Sequence, residues 1–476
     1  MKKTLAMRWT ALAVALGALA MTSGCMVGPD YKPPQTTVPP AWSGPTNSTT
    51  NASSRLTDNA ADLARWWTKF QDPKLTELVS VALRTNLDVR YAEALLREAR
   101  AARGVDAGGL WPSLTASGAA THTGVVSGGG TSKTIGAGAG ALWNLDVFGG
   151  TRRKLESDDA AIQAACESLY GAQVTLTSEV ALDYIQVRSA QEQVAIARTN
   201  LESETHTAEV TRQKVRAGLG SLLDQANADA QVASTAATIP VLETQIQQNI
   251  FALSILLDRP PADLLEDLSR PGAVPLAPPE VPVGLPSDLL RRRPDVRVAE
   301  ANLHQAAALI GVAVADFYPQ FSLTGNLNYQ SSLARDLFSG GNGIYSAGPQ
   351  VNWPIFSGGS TVSNLRLQKA ATDAAYISYR KTVLSALSDV EGNLVAFAKE
   401  WDHRKALNDA MIQNRRALEF SRQLYQAGTS EFLNVLDAER SLLASETALA
   451  QSRQAISSDL VNIYRSLGGG WEEQKN

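Results

Sequence analysis

Histidine is the side chain used most often to bind metals and to transfer protons near neutral pH, and this chain of 476 residues has four. His122, His206, His304 and His403 are widely separated, and none lies in an HExxH motif or beside a CxxC motif. A metal site needs several ligands at a spacing that brings them together. The sequence therefore predicts no metal site.

Two glycine-rich stretches are the next candidates, because glycine loops bind phosphate groups through backbone amides. GAGAGAL from Gly136 lacks the last glycine of a dinucleotide fingerprint, and SGGGTSK from Ser127 lacks the glycine that directly precedes the lysine of a phosphate loop. Both are better explained as strand and loop, so no cofactor and no enzyme is predicted. A lipoprotein enzyme using these loops is the alternative, and it would lose activity on substitution of Lys133.

The two cysteines are predicted to have different roles. Cys25 follows a basic start, an apolar stretch at about residues 10–21 and small residues, which together are typical of an export signal. TSGC followed by MVGPDYKPP resembles a bacterial lipoprotein box, which implies removal of residues 1–24 and a covalent lipid on Cys25. Met26, in place of an aspartate, resembles the sorting signal for the outer membrane. Cys166 lies in a helical stretch and is expected to be a buried small hydrophobic residue.

A membrane anchor is the alternative interpretation of the N-terminal segment, but its apolar stretch is shorter than the roughly 20 residues that span a bilayer. Removal of residues 1–24 changes the formal net charge from -4 to -7, because the segment has three basic and no acidic residues. An acidic chain is not expected to bind nucleic acid.

Proline, threonine, serine and asparagine dominate residues 26–60, a composition that predicts an extended tether. The body of the chain contains an internal repeat, since residues 88–118 align without a gap with residues 295–325 and share 13 identities in 31 positions. We divide the chain into a signal segment, a lipid-anchored tether, a first repeat, a connector, a second repeat and a tail, at residues 1–24, 25–68, 69–257, 258–286, 287–467 and 468–476.

Each repeat is predicted to contain a medium helix, two strands joined by a loop, a very long helix, a glycine turn and another long helix. Residues 151–217 and 360–427 each contain one glycine and no proline, so each is expected to form a helix of nearly 70 residues, about 100 Å long. A heptad-type seam follows at Leu449, Ile456, Leu460, Ile463 and Leu467. An antiparallel coiled coil and a curved helical wall both fit this pattern.

Four segments alternate between apolar and uncharged polar residues, which is typical of strands with two different faces. They are residues 112–122, 135–148, 320–330 and 345–356. In the third segment the apolar residues are Phe321, Leu323, Leu327 and Tyr329. A soluble antiparallel sheet shows the same alternation.

Several features favour a transmembrane sheet. The loops are polar and rich in glycine, the strands have the length of about 10 residues that crosses a membrane, and aromatic residues lie near strand ends. No apolar helix of membrane-spanning kind is expected besides the leader. Because open sheet edges are not tolerated in hydrocarbon and barrels start at about 8 strands, several chains must share one barrel. Two, three or four chains would give roughly 8, 12 or 16 strands, with lipid on the apolar face and water on the polar face.

Four stretches together resemble the outer-membrane factor family, the TolC-like channels of tripartite efflux pumps and type I secretion systems. They are CMVGPDYKPP from Cys25, LPSDLLRRRPDVRVAEANL from Leu285, FYPQFSLTG from Phe317 and YQAGTSEFLNVLDAE from Tyr425. The resemblance covers essentially all of the mature chain and points to the lipoprotein branch of multidrug efflux channels. It implies a homotrimer of mixed fold, with a twelve-stranded outer-membrane β-barrel, four strands per chain, and a long periplasmic α-helical barrel. It also implies a small equatorial domain, formed by the tether, the connector at residues 258–286 and the C-terminus.

The resemblance also implies a role for two glycine turns. Gly218 and Gly428 match the glycines of the periplasmic tips, where two long helices turn with positive φ. In the family these tips meet a periplasmic membrane-fusion adaptor, so both glycines and the residues after them, Leu219 and Thr429, are predicted adaptor contacts. A role as helix stops is compatible with the same residues.

Four residues match the periplasmic gate of the family. Asp437 matches an aspartate in the closed mouth, so three copies would form a carboxylate ring that constricts the mouth and selects for cations. Without the resemblance, Asp437 would be interpreted as a solvated charge. Asn434 replaces the companion aspartate, so no strong double ring is implied. Asp224 and Tyr425 match a pair that hydrogen-bonds between neighbouring helix pairs, and Leu223 replaces the polar partner of a second latch, which predicts a weaker closed state.

The resulting hypothesis is a passive outer-membrane exit duct for small toxic compounds or drugs, lipid-anchored and spanning the periplasm. It would open at its periplasmic tip when the adaptor and an energised inner-membrane transporter dock. Two alternatives stay open: a type I protein secretion duct, and a lipid-anchored periplasmic coiled-coil scaffold whose alternating segments form a soluble sheet.

Overall fold

The computed structural model describes residues 26–42, 55–57, 63–124, 128, 130–278, 280–282 and 286–472. The signal segment and Cys25 lie outside the described residues, so cleavage and lipidation stay predictions. The chain forms two compact units. The first contains the chain up to Thr36, Ala94–Cys166 and Val298–Lys381, and the second contains Thr37–Glu93, Glu167–Arg297 and the chain from Thr382.

Long helices dominate the chain. In chain order the α-helices are α1 (Pro73–Thr85), α2 (Leu87–Ala107), α3 (Gly150–Arg216), α4 (Leu222–Leu256), α5 (Leu265–Leu268), α6 (Pro286–Arg292), α7 (Pro294–Ala315), α8 (Ser360–Gln426) and α9 (Phe432–Ser466). Helices α3 and α8 have 67 residues each, and α4 and α9 have 35 each. The predicted repeat is therefore present in the fold, with equal helix lengths in its two copies.

The strands of the described residues form one large and one small sheet. They are β1 (Arg55–Thr57), β2 (Ser113–Gly124), β3 (Thr131–Leu145), β4 (Glu280–Pro282), β5 (Gln320–Ser331) and β6 (Gly343–Asn352). An antiparallel sheet of order β2-β3-β5-β6 lies in the first unit, and each of its strands overlaps one of the four predicted alternating segments.

Two of these strands end earlier than predicted. β3 ends at Leu145, not at residue 148, because the carboxylate of Asp146 accepts hydrogen bonds of 2.9 and 3.0 Å from two backbone amides at the start of α3. Asp146 therefore begins the turn into the helix. β6 ends at Asn352, not at residue 356, and Pro354 has no N–H with which to continue the ladder.

The segment after Cys25, predicted to be an extended tether, makes specific contacts with the rest of the chain. The backbone amide of Val27 donates to the carbonyl oxygen of Phe148 at 3.1 Å, and the hydroxyl of Thr36 lies 3.0 Å from that of Tyr379. Further along the chain, β1 pairs in parallel with β4 and so joins the predicted tether to the connector. The segment is attached to the folded body at both places.

The core of the second unit combines the helical seam with aromatic side chains. All five residues of the predicted seam, from Leu449 to Leu467, are buried, which confirms it. Trp66 stacks on Tyr464 with ring centroids 5.3 Å apart, and Trp471 stacks on Tyr170 at 4.3 Å. Trp471, which follows α9, is thus packed into the core.

One expectation about membrane helices was wrong. Among the described residues, α7 is long and apolar enough, by length and composition alone, to span a membrane. The same helix buries Leu303, Ala308 and Ala313 within the protein. Its counterpart in the first repeat, α2, carries several charged residues and buries only Val89, Ala92 and Leu96.

Candidate functional site

Two glycine turns end α3 and α8 in the second unit. Gly218 and Gly428 have φ of +74° and +75°, a left-handed conformation that favours glycine. The amides of Leu219 and Thr429 donate to carbonyl oxygens five residues earlier, at 2.8 and 3.0 Å, and those of the glycines donate three residues back, at 3.0 and 3.1 Å. Both ends are therefore Schellman motifs. An added Cβ would meet nothing within 4 Å at either glycine, so the backbone angle alone requires glycine.

The helices that leave the two turns begin differently. Ser221 starts α4 with a capping box, in which its hydroxyl accepts from the amide of Leu223 at 3.1 Å and the carboxylate of Asp224 accepts from the Ser221 amide at 3.2 Å. The side chain of Glu431, at the start of α9, makes no capping hydrogen bond. The predicted gate residue Asp224 thus stabilises the start of its own helix.

The surfaces of the two turns differ in polarity. Leu219, Leu222 and Leu223 are 77%, 75% and 66% exposed on the first turn. The second turn exposes Thr429, and the exposed large apolar residues near it, Leu424 and Leu433, lie on the two helices that flank it. The first turn therefore has an apolar surface of a kind that marks contact sites in soluble proteins.

Tyr425, the second residue of the predicted latch, is buried. Its hydroxyl lies 3.4 Å from that of Thr211, its ring centroid lies 5.5 Å from that of Phe432, and the ammonium of Lys214 lies 4.0 Å from the ring centroid. Within the described part of this one chain, no hydrogen bond joins Tyr425 to Asp224. Because the predicted pairing is between neighbouring helix pairs, it stays a prediction.

Asp437 and Asn434 lie one helical turn apart on the exposed side of α9. The other side of this helix is buried through Phe432 and Val435. Asn434 donates to the hydroxyl of Ser430 at 2.9 Å. Asp437 has no hydrogen-bond or ion-pair partner among the described residues of its own chain, so its carboxylate is available to face other charges.

A buried polar network, not predicted from the sequence, lies behind the turns. The guanidinium of Arg422 on α8 donates to the carboxylate of Glu439 on α9 at 2.7 Å. The same carboxylate oxygen accepts from the hydroxyl of Thr207 on α3 at 2.8 Å. The Glu439 side chain is only 4% exposed. One buried charge thus connects three helices from both repeats.

The network continues to α4. The amide of Gln231 donates to the carboxylate of Glu204 at 3.0 Å, and its oxygen accepts from the guanidinium of Arg440 at 2.8 Å. Burial raises the pKa of the Glu204 carboxyl, against the hydrogen bonds that it accepts. All four long helices therefore meet through hydrogen-bonded interior groups near the turns.

The sequence does contain a signal for this network. Phe432, Val435, Glu439 and Leu442 follow the three- and four-residue spacing of one helix face. A carboxylate in the core position of such a face must have a partner when it is buried. The spacing alone therefore indicates a buried and paired Glu439.

In the first unit, the register of the sheet separates apolar from polar side chains, as predicted. One row of directly opposed residues on the apolar face is Leu145, Phe321 and Val351. The next row, on the polar face, is Asn144, Ser322 and Gln350. On β2, Leu114 lies opposite Ala141 on the apolar face. Leu142 and Ile344 are exceptions, because they lie opposite Thr324 and Asn328 on the polar face.

Two tryptophans join the sheet to the preceding helical segments in both repeats. The indole of Trp143 donates to the carbonyl oxygen of Leu110 at 2.9 Å, and that of Trp353 donates to Phe317 at 3.0 Å. Amphipathic rings at strand ends are typical of a membrane interface.

Histidine, cysteine and acidic residues elsewhere in the described part of the chain form no metal site. Over the described ranges, no group of histidine, cysteine, aspartate and glutamate is arranged to hold a metal ion. Cys166, expected to be buried, is partly exposed on α3.

A family model for known proteins matches the chain twice. The model described as outer membrane efflux protein covers residues 78–258 and 285–469. Each matched range contains one copy of the repeat, from its medium helix to its second long helix.

Named relatives are similar over almost their whole length. The probable efflux pump outer membrane protein TtgC of Pseudomonas putida is 32% identical over 478 residues, which cover 97% of this chain and 96% of TtgC. The probable outer membrane lipoprotein SilC of Salmonella typhimurium is 30% identical over 465 residues, covering 97% and 99%. The solved structure of the outer-membrane channel OprN is 36% identical, with a TM-score of 0.84, and the match covers 94% of this chain and 100% of OprN.

Proposed function

The chain belongs to the outer membrane efflux protein family and is an outer-membrane channel of an efflux system, and we propose that three copies of it form one passive exit duct. The exported compounds would be small and toxic, such as drugs, and they would be selected before they reach the duct. The name of TtgC, an efflux pump protein, supports this assignment.

The four-stranded sheet is the observation that carries the proposal. Its edge strands, β2 and β6, present unpaired backbone groups along one side each, which hydrocarbon does not tolerate. Since closed barrels start at about 8 strands, one chain cannot satisfy both edges. Three chains, each pairing β6 with β2 of the next, would close a barrel of about twelve strands. Its apolar face would meet lipid and its polar face would line a water-filled pore.

The gate of this duct is proposed to lie at Asp437. Three copies of this exposed carboxylate around one axis would repel each other unless water or cations lie between them. Such a ring narrows the mouth and favours cations. Asn434, one turn away, adds polarity without charge, so a single charged ring results.

The glycine turns are proposed to dock a periplasmic adaptor. The three exposed leucines around Leu219 would leave water on contact, which favours association through the hydrophobic effect. The turn at Gly428 exposes polar groups and would contribute hydrogen bonds near Thr429. The two turns would therefore recognise different parts of the adaptor.

Two further parts complete the proposal. Cys25 would carry the covalent lipid, which the lipoprotein name of SilC supports. The energy for export would come from an inner-membrane transporter that acts through the adaptor, and no cofactor other than the lipid would be needed.

Native mass spectrometry and planar-bilayer recording of the purified, lipidated protein test this function. We expect the mass of a trimer and steady currents that prefer cations. An intact oligomer without currents, or an unlipidated form extractable without detergent, would favour the periplasmic scaffold. A duct for secreted proteins would give the same currents, but its deletion would abolish protein secretion and leave drug susceptibility unchanged.

A further inference from the structure

Residues 26–36, here called the strap, belong to the first unit. The strap begins beside the residues that connect β3 to α3. An ideal Cβ at Gly149 would lie 2.8 Å from the side chain of Met26, so these residues are in close contact. The Val27 amide donates to Phe148, whose ring stacks on Tyr318 at 4.5 Å. Phe148 follows β3 and Tyr318 precedes β5. The strap therefore begins on the aromatic end of the strands.

Arg153 on α3 anchors the strap. Its side chain is 2% exposed, and its guanidinium donates to the carbonyl oxygen of Val27 at 3.0 Å and to that of Gly28 at 3.4 Å. It also donates to the carboxylates of Asp30 and Glu156, at 2.7 Å each. Breaking these bonds would leave a buried cation without partners, which is strongly unfavourable.

Two glycines allow this close approach. An ideal Cβ at Gly28 would lie 2.5 Å from the Cα of Gly311 on α7, and φ at Gly28 is +91°. An ideal Cβ at Gly311 would lie 2.7 Å from the Arg153 side chain. Any larger residue at either position would push the strap away from the helices.

Two more contacts fix the rest of the strap. The ring of Tyr31 stacks on His304 with centroids 4.2 Å apart, and Nε2 of His304 lies 3.1 Å from the carboxylate of Glu156 that also binds Arg153. The hydrogen bond between the hydroxyls of Thr36 and Tyr379 holds the C-terminal end of the strap.

We propose that Arg153 is a positioning residue for the lipid anchor, holding the strap so that the lipid enters the membrane beside the aromatic end of the strands. A flexible tether of the same composition would leave the position of the lipid undetermined over a distance of several residues. A buried arginine with four hydrogen-bonded partners instead fixes the chain two residues after Cys25. This inference rests on the proposed acylation of Cys25 and is independent of which compound is exported.

Spin-label mobility tests the fixed strap. A nitroxide on Lys32→Cys, with Cys166→Ser to remove the second thiol, reports motion of the strap in purified trimers. We expect a restricted spectrum in the otherwise wild-type protein and a mobile one with Arg153→Gln. Lys154→Gln is the matched control, since Lys154 is the next residue and pairs with Asp106 and Asp158 but not with the strap. A restricted spectrum with Arg153→Gln would overturn the anchoring role.

Gly28→Ala covers the case in which Arg153→Gln fails to fold. This substitution is in the strap, where the added methyl group would prevent the close approach to Gly311. It removes no side chain from the helices. It is expected to mobilise the label as Arg153→Gln does. A restricted label in this variant would contradict the proposed close approach.

A double-mutant cycle separates positioning of the lipid from a merely structural role. The trimer dissociation temperature in liposomes is measured with and without Arg153→Gln, in the lipidated protein and in Cys25→Ser behind a leader that is cleaved without lipidation. We expect loss of the lipid to lower this temperature more when the strap is fixed than when it is loose. Equal effects of lipid loss in both backgrounds would overturn the proposal, whereas the proposed export function would stand on the bilayer currents alone.

Discussion

The guanidinium of Arg422 and the carboxylate of Glu439 form an ion pair of 2.7 Å in the interior behind the glycine turns. The pair belongs to α8 and α9 of the second repeat, and Thr207 of the first repeat donates to the same carboxylate. The two helical hairpins of one chain are therefore bonded to each other close to the predicted gate.

Glu439→Gln is expected to destabilise the folded chain, because Arg422 keeps its charge and loses its partner. The cost should be about 2 kcal/mol, below the roughly 3–5 kcal/mol of a fully buried pair, since the Arg422 side chain is 30% exposed. Arg422→Met with Glu439→Leu should recover most of that loss, and denaturant unfolding measures both. Lys399→Gln, which breaks an exposed pair with Asp402, is the control and should cost under about 1 kcal/mol. A loss for Glu439→Gln no larger than this control would contradict the network.

Asp437→Ala is expected to raise single-channel conductance or to weaken the cation preference, because it removes three like charges from the mouth. Asp437→Asn keeps the size of the side chain and should change the ion preference more than the conductance. Asp402→Ala, on the exposed side of α8, is the control. Wild-type conductance and selectivity in an intact Asp437→Ala trimer would remove this residue from the gate.

Asp224→Ala together with Tyr425→Phe is expected to raise the open fraction of the channel without harming assembly, because it removes the predicted latch. Asp224 also caps its own helix, so a control for helix loosening is needed. Ser221→Ala removes the other half of the capping box, at a cost of about 1 kcal/mol, and leaves the latch residues in place. If Ser221→Ala raises the open probability equally, the cap and not the latch holds the mouth.

The raised pKa values of two buried carboxyl groups predict how the stability of the fold depends on pH. Burial, with the nearby charges of Glu179 and Glu400 respectively, raises the pKa of Asp183 and of Asp459 to about 6 from an ordinary value of 3.8. Groups with a raised folded-state pKa stabilise the fold below their unfolded pKa, and this stabilisation is lost as the pH rises through about 6. These two groups should therefore make the unfolding temperature higher at low pH than at neutral pH.

Replacing both aspartates with asparagine checks this dependence. We expect Asp183→Asn with Asp459→Asn to raise the unfolding temperature above pH 7 and to flatten its change between roughly pH 4 and 7, as measured by circular dichroism. Asp409→Asn, on the exposed side of α8, should follow the wild-type profile. A double variant with the wild-type profile would show that neither carboxyl group carries the effect.

The repeat, the long helices and the strand faces were predictable because each depends on local periodicity. The spacing of Leu449, Ile456 and Leu460 alone indicates a buried seam, and the seam is buried. The alternation around Phe321 likewise indicates its face in the sheet. These patterns can be recognised without knowing which residue from a distant part of the chain packs against them.

Contacts between distant segments were not predictable in the same way. Residues 26–36 have the composition of a tether, and only the folded positions of Gly311 and Arg153 show why they are fixed. Asp146 lies in an alternating segment, yet its bonds to α3 end the strand there. In both cases specific polar or close contacts override a sequence pattern that extends over many residues.

The equal lengths of α3 and α8, at 67 residues each, restrict how this chain can change over time. One residue inserted into α3 alone would advance its turn by about 1.5 Å and rotate every later side chain by about 100°. Thr207 would then no longer face Glu439, and the hairpins would lose their common register. Evolution of these helices should therefore proceed by substitution, and gains or losses of residues should survive only where the other repeat changes in step.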